Sequence, residues 1–83
     1  MLILTIAIVN TGRRFDIMVK PEQRIKDVFE VLSESGKIDY DSEKECLYAR
    51  TWRQGSYINL NHTFRQAFIQ TKDIIFIEVR DNG

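Results

Sequence analysis

Two β-rich runs open this chain and a third closes it, with one helix-patterned segment between them. Leu2 to Val9 and Phe15 to Val19 flank an Asn10-Thr11-Gly12-Arg13 turn, and the last run extends from Asp73 to Val79. A sheet must bury its apolar face against another layer, and only one helix is on offer to supply it. If the two terminal runs lie side by side, one sheet unites both extremities and the helix closes over it. The order ββαβ therefore predicts an α+β architecture, with a mixed sheet of four or five strands on one main helix.

The side-chain periods give the elements their faces. In the first run Leu2, Leu4, Ile6 and Ile8 share one side and Ile3, Thr5, Ala7 and Val9 the other; the larger set is expected inward. Gly12 supplies the residue of positive φ that a short hairpin loop needs. The second run then sends Phe15, Ile17 and Val19 inward and Asp16, Met18 and Lys20 outward, and Pro21 stops it by lacking a ladder donor. Ile25, Val28, Phe29 and Leu32 follow the i, i+3, i+4, i+7 stripe of a helix lying on a core, with Lys26, Asp27, Glu30 and Glu34 opposite. Gly36 suits a left-handed C-cap, and Ile38 is expected to fold back beneath the helix.

Asp39 to Glu45 reads as an acidic, solvated loop, and Cys46 to Thr51 as the third strand. Beyond a Gln54-Gly55-Ser56 turn and a short Tyr57–Leu60 segment, Thr63 is a credible N-cap for one helical turn over Phe64 to Phe68. The last strand places Ile75, Ile77 and Val79 on one face and Ile74, Phe76 and Glu78 on the other. The expected core is Leu4, Ile6, Ile8, Phe15, Ile17, Val19, Ile25, Val28, Phe29, Leu32, Leu47, Leu60, Phe68, Ile75 and Ile77.

With 83 residues and no linker or repeat, positions 1–83 are expected to form a single domain. Twelve basic residues balance twelve acidic ones, so no net field draws the chain toward nucleic acid, and any charged partner must read a local patch. The single cysteine, Cys46, rules out an internal disulfide and a multi-cysteine zinc site and suits a reducing compartment, the cytoplasm being the expectation. The apolar start has no positively charged flank of a signal peptide and is too short for the about 20 residues of a membrane span. No membrane insertion is expected.

Catalytic options are sparse. Cys46 and His62 are the only cysteine and histidine, one opening a strand and the other in a polar turn, with no third group to orient a base. Asp39, Asp41, Glu43 and Glu45 lack the glycine turn of a calcium loop. No catalytic, cofactor or metal residue is therefore expected. Arg50, Trp52, Arg53 and Tyr57, with Arg13 and Arg14 in the first hairpin, interleave cations and aromatics as protein-interface hot spots do. Binding of single-stranded nucleic acid through the same residues is the alternative. Tyr48 and Phe76 should emerge from the outward sheet face and anchor a protein partner.

Taken in order, these segments resemble ubiquitin-like β-grasp proteins over nearly the whole chain. The Thr11-Gly12-Arg13 turn, the Val19-Lys20-Pro21 strand end, the helix led by Ile25 with Val28, and above all Asn61 to Ile75 carry the resemblance. Within that group the chain is similar to the bacterial type VII secretion accessory proteins of the YukD/EsaB-like family. The resemblance implies a cytoplasmic, non-catalytic interaction module. A modifier or sulfur carrier, the remaining alternative, uses a C-terminal Gly-Gly, whereas this sequence ends Asn82-Gly83, so conjugation is not expected. The ubiquitin recognition patch maps to Tyr48 and Glu78 with Phe76 beside them, giving the expected surface Tyr48, Phe76, Arg50, Glu78, Arg13 and Arg14.

Overall fold

The computed structural model describes residues 1–82 and places four strands and one helix in the order β1 (Leu2–Ile8), β2 (Arg14–Val19), α1 (Ile25–Glu34), β3 (Glu45–Thr51) and β4 (Ile74–Asp81). The strands lie side by side as β2-β1-β4-β3. β1 and β4 run parallel at the centre, Ile6 opposite Ile75 and Ile8 opposite Ile77, while β2 and β3 pair antiparallel with them on either side. The two ends of the sequence thus meet in mid-sheet, as the order of apolar runs predicts. Among the described residues Tyr57–Leu60 adds no fifth strand; its backbone bonds to β3 from the Ile58 N–H to the Ala49 carbonyl at 2.7 Å.

The core lies between sheet and helix. Leu4, Ile6 and Ile8 from β1, Ile75 and Ile77 from β4, and Ile25 and Phe29 from α1 are buried. Phe15, Ile17, Val28, Leu32, Leu47 and Leu60 pack around them half-buried. Each aliphatic side chain removed from water this way stabilises by about 1.5–3 kcal/mol. Ile38 does fold beneath the helix and is fully covered.

Both ends of α1 find partners for backbone groups that a helix leaves open. No side chain caps the start at Arg24. Instead the N–H groups of Ile25 and Lys26 donate to the carbonyls of His62 and Leu60 at 3.0 and 2.9 Å. At the other end the Gly36 N–H donates to the Ser33 carbonyl and the Lys37 N–H to the Leu32 carbonyl, with Gly36 at φ 80°. This is the Schellman closure, which needs a left-handed residue. A Cβ at Gly36 would meet no atom within 4 Å, so the cost of Gly36→Ala is backbone strain alone. Urea denaturation is expected to show a loss of about 1 kcal/mol.

One expected core residue is not in the core. Phe68 is 78% exposed, and Phe64 and Ile69 take the buried positions instead. Thr63 begins the turn as expected: its Oγ1 accepts from the Gln66 N–H while the Gln66 Oε1 accepts from the Thr63 N–H, a reciprocal capping box. The chain does not continue into a helix. Phe68 enters the left-handed region at φ 57°, and the Ile69 N–H closes back on the Phe64 carbonyl. A 3.6-residue period would stack Phe68 over Phe64, but the left-handed residue breaks that period, turning the Phe68 ring to solvent and Ile69 inward.

Candidate functional site

The helix covers one face of the sheet, and the strand register arranges the other face in rows. Arg14 of β2 is opposite Ala7 of β1, Ala7 opposite Phe76 of β4, and Phe76 opposite Arg50 of β3. On one side of this row lie Asp16, Thr5 and Ile74; on the other, Glu78 opposite Tyr48, then Arg80 opposite Cys46. Alternation along each strand sends all of these side chains away from α1.

Both outward aromatics are half-buried, each beneath a guanidinium. Arg80 lies 4.5 Å from the ring centre of Tyr48 and 5.5 Å from that of Tyr57, and the two tyrosine rings are 5.3 Å apart at 52°. The Arg80 Nε donates to Glu78 Oε1 at 2.6 Å, and the same guanidinium donates to the Tyr57 hydroxyl. Arg80 is held by a carboxylate and a phenol while it stacks. Its hydrogen bond, opposed by desolvation and aided by the charges of Arg80 and Arg50, keeps the Glu78 carboxyl below the usual range. Arg50 lies 5.0 Å from the Phe76 ring centre, a cation–π arrangement.

The six expected surface residues divide into three places. Tyr48 and Glu78 join Tyr57 and Arg80, whereas Arg50, Phe76 and Arg14 surround a depression of about 320 Å³ at Ala7, Val9 and Gly12. Arg13 is elsewhere, in a cleft with Asn10, Asp39, Glu45 and Val79. Successive residues along an extended chain face opposite sides, so neighbouring Arg13 and Arg14 cannot both line the sheet. Sequence reasoning missed Arg80, although it follows Glu78 by the two-residue step that keeps strand side chains on one face. Tyr57 is among the interleaved aromatics that the sequence points to, but its stacking against Tyr48 carries no signal there, because an irregular loop brings the two rings together.

The Cys46 thiol donates to Asn82 Oδ1 at 3.2 Å, while His62 contributes its backbone carbonyl to the start of α1. Among the described residues no cluster of three histidine, cysteine, aspartate or glutamate side chains is arranged to hold a metal. A cleft of about 530 Å³ lies between α1 and β3 over Phe29, Leu47 and Leu60, with Tyr40, Glu30 and Glu34 on its walls. Burial, then the neighbouring Cys46, Glu45, Asp41 and Glu30, pushes the Tyr40 phenol up. Of the acidic loop, Asp41 Oδ1 accepts from the Glu43 N–H at 3.0 Å, a local turn contact. Among the described residues no helix is long and apolar enough to cross a membrane.

No protein-family signature and no curated protein matches this sequence. Among solved structures, the UBL domain of yeast Ddi1 superposes with a TM-score of 0.69 at 20% identity, over 99% of this chain and 90% of that one. The C-terminal ubiquitin-like domain of mouse tubulin-specific chaperone e gives 0.68 at 16% identity, over 93% and 84%. At such identities the likeness is one of backbone architecture. With one helix on a mixed four-stranded sheet whose terminal strands run parallel at the centre, this chain has the ubiquitin-like β-grasp fold.

Proposed function

We propose that the protein is a non-catalytic interaction module whose helix-free sheet face receives a protein partner. The observation that carries this reading is the pairing of each outward aromatic with a guanidinium: Phe76 with Arg50, and Tyr48 with Arg80. Tyrosine and arginine are enriched where interfaces concentrate their binding energy, and aromatic side chains fixed by neighbours lose little freedom on binding. The solved relatives are themselves named as ubiquitin-like domains of larger proteins, which accords with a binding role.

A finer placement, as a cytoplasmic accessory of a bacterial type VII secretion apparatus, is part of the proposal and is supported by the sequence resemblance alone. Affinity capture on immobilised protein tests the surface. Tyr48→Ala/Phe76→Ala is expected to weaken retention of the partner by about tenfold or more, as loss of two anchor residues does. Undiminished capture by a double variant with native circular dichroism would refute the assignment of this face.

A further inference from the structure

The row Arg14–Ala7–Phe76–Arg50 crosses all four strands and carries a cation at each end. Neither cation is held by a carboxylate among the described residues; Arg50 rests on the Phe76 ring, with its charge-bearing edge left open. Among the described residues, Arg53, Arg65 and Arg80 lie within ion-pair distance of a carboxylate, and Arg14 and Arg50 do not. Both are exposed. The acidic groups in the adjoining rows are engaged elsewhere: Glu78 with Arg80, and Asp16 as acceptor from the Thr5 hydroxyl at 2.8 Å. Between the two guanidiniums the surface is apolar, since Phe76 stands beside Ala7 and the small side chain leaves the depression that Val9 and Gly12 help to wall. A chain with no net charge has placed two unpaired cations around an apolar seat.

We propose that this row binds an acidic segment of the partner, an apolar side chain seated at Ala7 and Phe76 with a carboxylate on either side reaching Arg14 and Arg50. The proposal rests on the reading of the open sheet face as an interaction surface and specifies the chemistry that face selects. The spacing agrees with it. Three inter-strand steps of about 4.8 Å put the two arginine Cα atoms roughly 14 Å apart, and side chains four positions apart on an extended peptide are separated by roughly 13 Å. An extended segment laid across the strands, with glutamates at i and i+4 and an apolar residue at i+2, therefore presents its charges at the matching interval. Arginine forks hold carboxylates by paired hydrogen bonds, so each end adds orientation as well as charge.

The probe is a fluorescein-labelled peptide, Gly-Ser-Glu-Ser-Phe-Ser-Glu-Ser-Gly, with a Glu→Gln counterpart, titrated against the full chain by anisotropy and by amide chemical shifts. The acidic peptide is expected to bind with a Kd below about 1 mM, shifting Ala7 and Phe76, and the neutral one about tenfold more weakly. Arg14→Glu and Arg50→Glu are each expected to weaken the acidic peptide by about tenfold, and Arg50→Gln by less, while Arg13→Glu, with the same change in net charge, stays within about twofold. Equal affinity for the two peptides, no saturable binding, or equal losses in Arg13→Glu and Arg14→Glu would each overturn the proposal. So would tighter binding of an oligothymidylate at the same residues, which would make the cations a phosphate site. If partner capture falls with Tyr48→Ala/Phe76→Ala yet is unchanged by Arg14→Glu and Arg50→Glu, the interaction face stands and the acidic-segment inference fails.

Discussion

Phe64→Ala is expected to cost about 3–5 kcal/mol of folding stability, and Phe68→Gly close to none. The two phenylalanines are four residues apart in a single turn, yet Phe64 is fully buried and Phe68 is mostly solvent-exposed. Removing the Phe64 ring takes away its transfer free energy and leaves a cavity beneath the turn that joins Thr63 to β4. For a chain of this size total stability is of order 4–12 kcal/mol, so the variant would be largely unfolded at modest urea concentrations. Phe68 occupies the left-handed position of a Schellman closure, the place Gly36 holds after α1. Glycine there relieves about 1–2 kcal/mol of local strain and increases the freedom of the unfolded chain by a similar amount. Urea midpoints of the two variants decide the matter. A large loss from Phe68→Gly would mean that its ring packs inward.

The second large effect is expected at Asp73. Its carboxylate is buried just before β4, and it accepts three hydrogen bonds: Arg53 Nε at 2.9 Å and an Arg53 terminal nitrogen at 2.6 Å, on different oxygens, and the Gln70 N–H at 2.8 Å. Burial by itself would raise the acid's pKa. The hydrogen bonds from Arg53 and Gln70, with the guanidinium charge, outweigh it and hold the carboxyl below its ordinary value. Asp73→Ala leaves the Gln70 N–H without that acceptor and is expected to cost about 1–3 kcal/mol.

The same residue gives a pH dependence of definite sign. A carboxyl whose pKa is lower folded than unfolded stabilises the fold fully above the unfolded value, about 3.9, and loses that contribution as pH falls through the folded value. Melting temperatures of the wild type should therefore decline below about pH 4, and the decline should be shallower in Asp73→Ala. Parallel acid profiles for the two proteins would show that Asp73 is not the titrating group.

The open face was partly legible before any coordinates. Tyr48, Arg50, Phe76 and Glu78 follow from strand alternation, because a period of two allows only one division of residues between faces. Arg13 lies off the open face and Phe68 outside the core for a related reason. Arg13 is a turn residue just before β2 and need not share the face of its strand neighbour, and at Phe68 a positive φ, which its side chain gives no cause to expect, ends the helical period. Asp73 carried no signal in the chain, since its partner Arg53 is 20 positions away across the β3–β4 connection.

Local chemistry in the sequence determined which residues form strands and helix, which faces are apolar, where Gly12 and Gly36 turn the chain, and the order that brings the terminal strands together. Each of those depends on groups a few residues apart. Only the tertiary structure decided that β1 and β4 pair in parallel with Ala7 beside Phe76, that Arg14 and Arg50 stand at the two ends of one row, and that the carbonyls of Leu60 and His62 cap the helix. These contacts join residues far apart in the chain. Register between distant strands is set by how both apolar faces fill the space under the helix, a property of the assembled core rather than of any one segment.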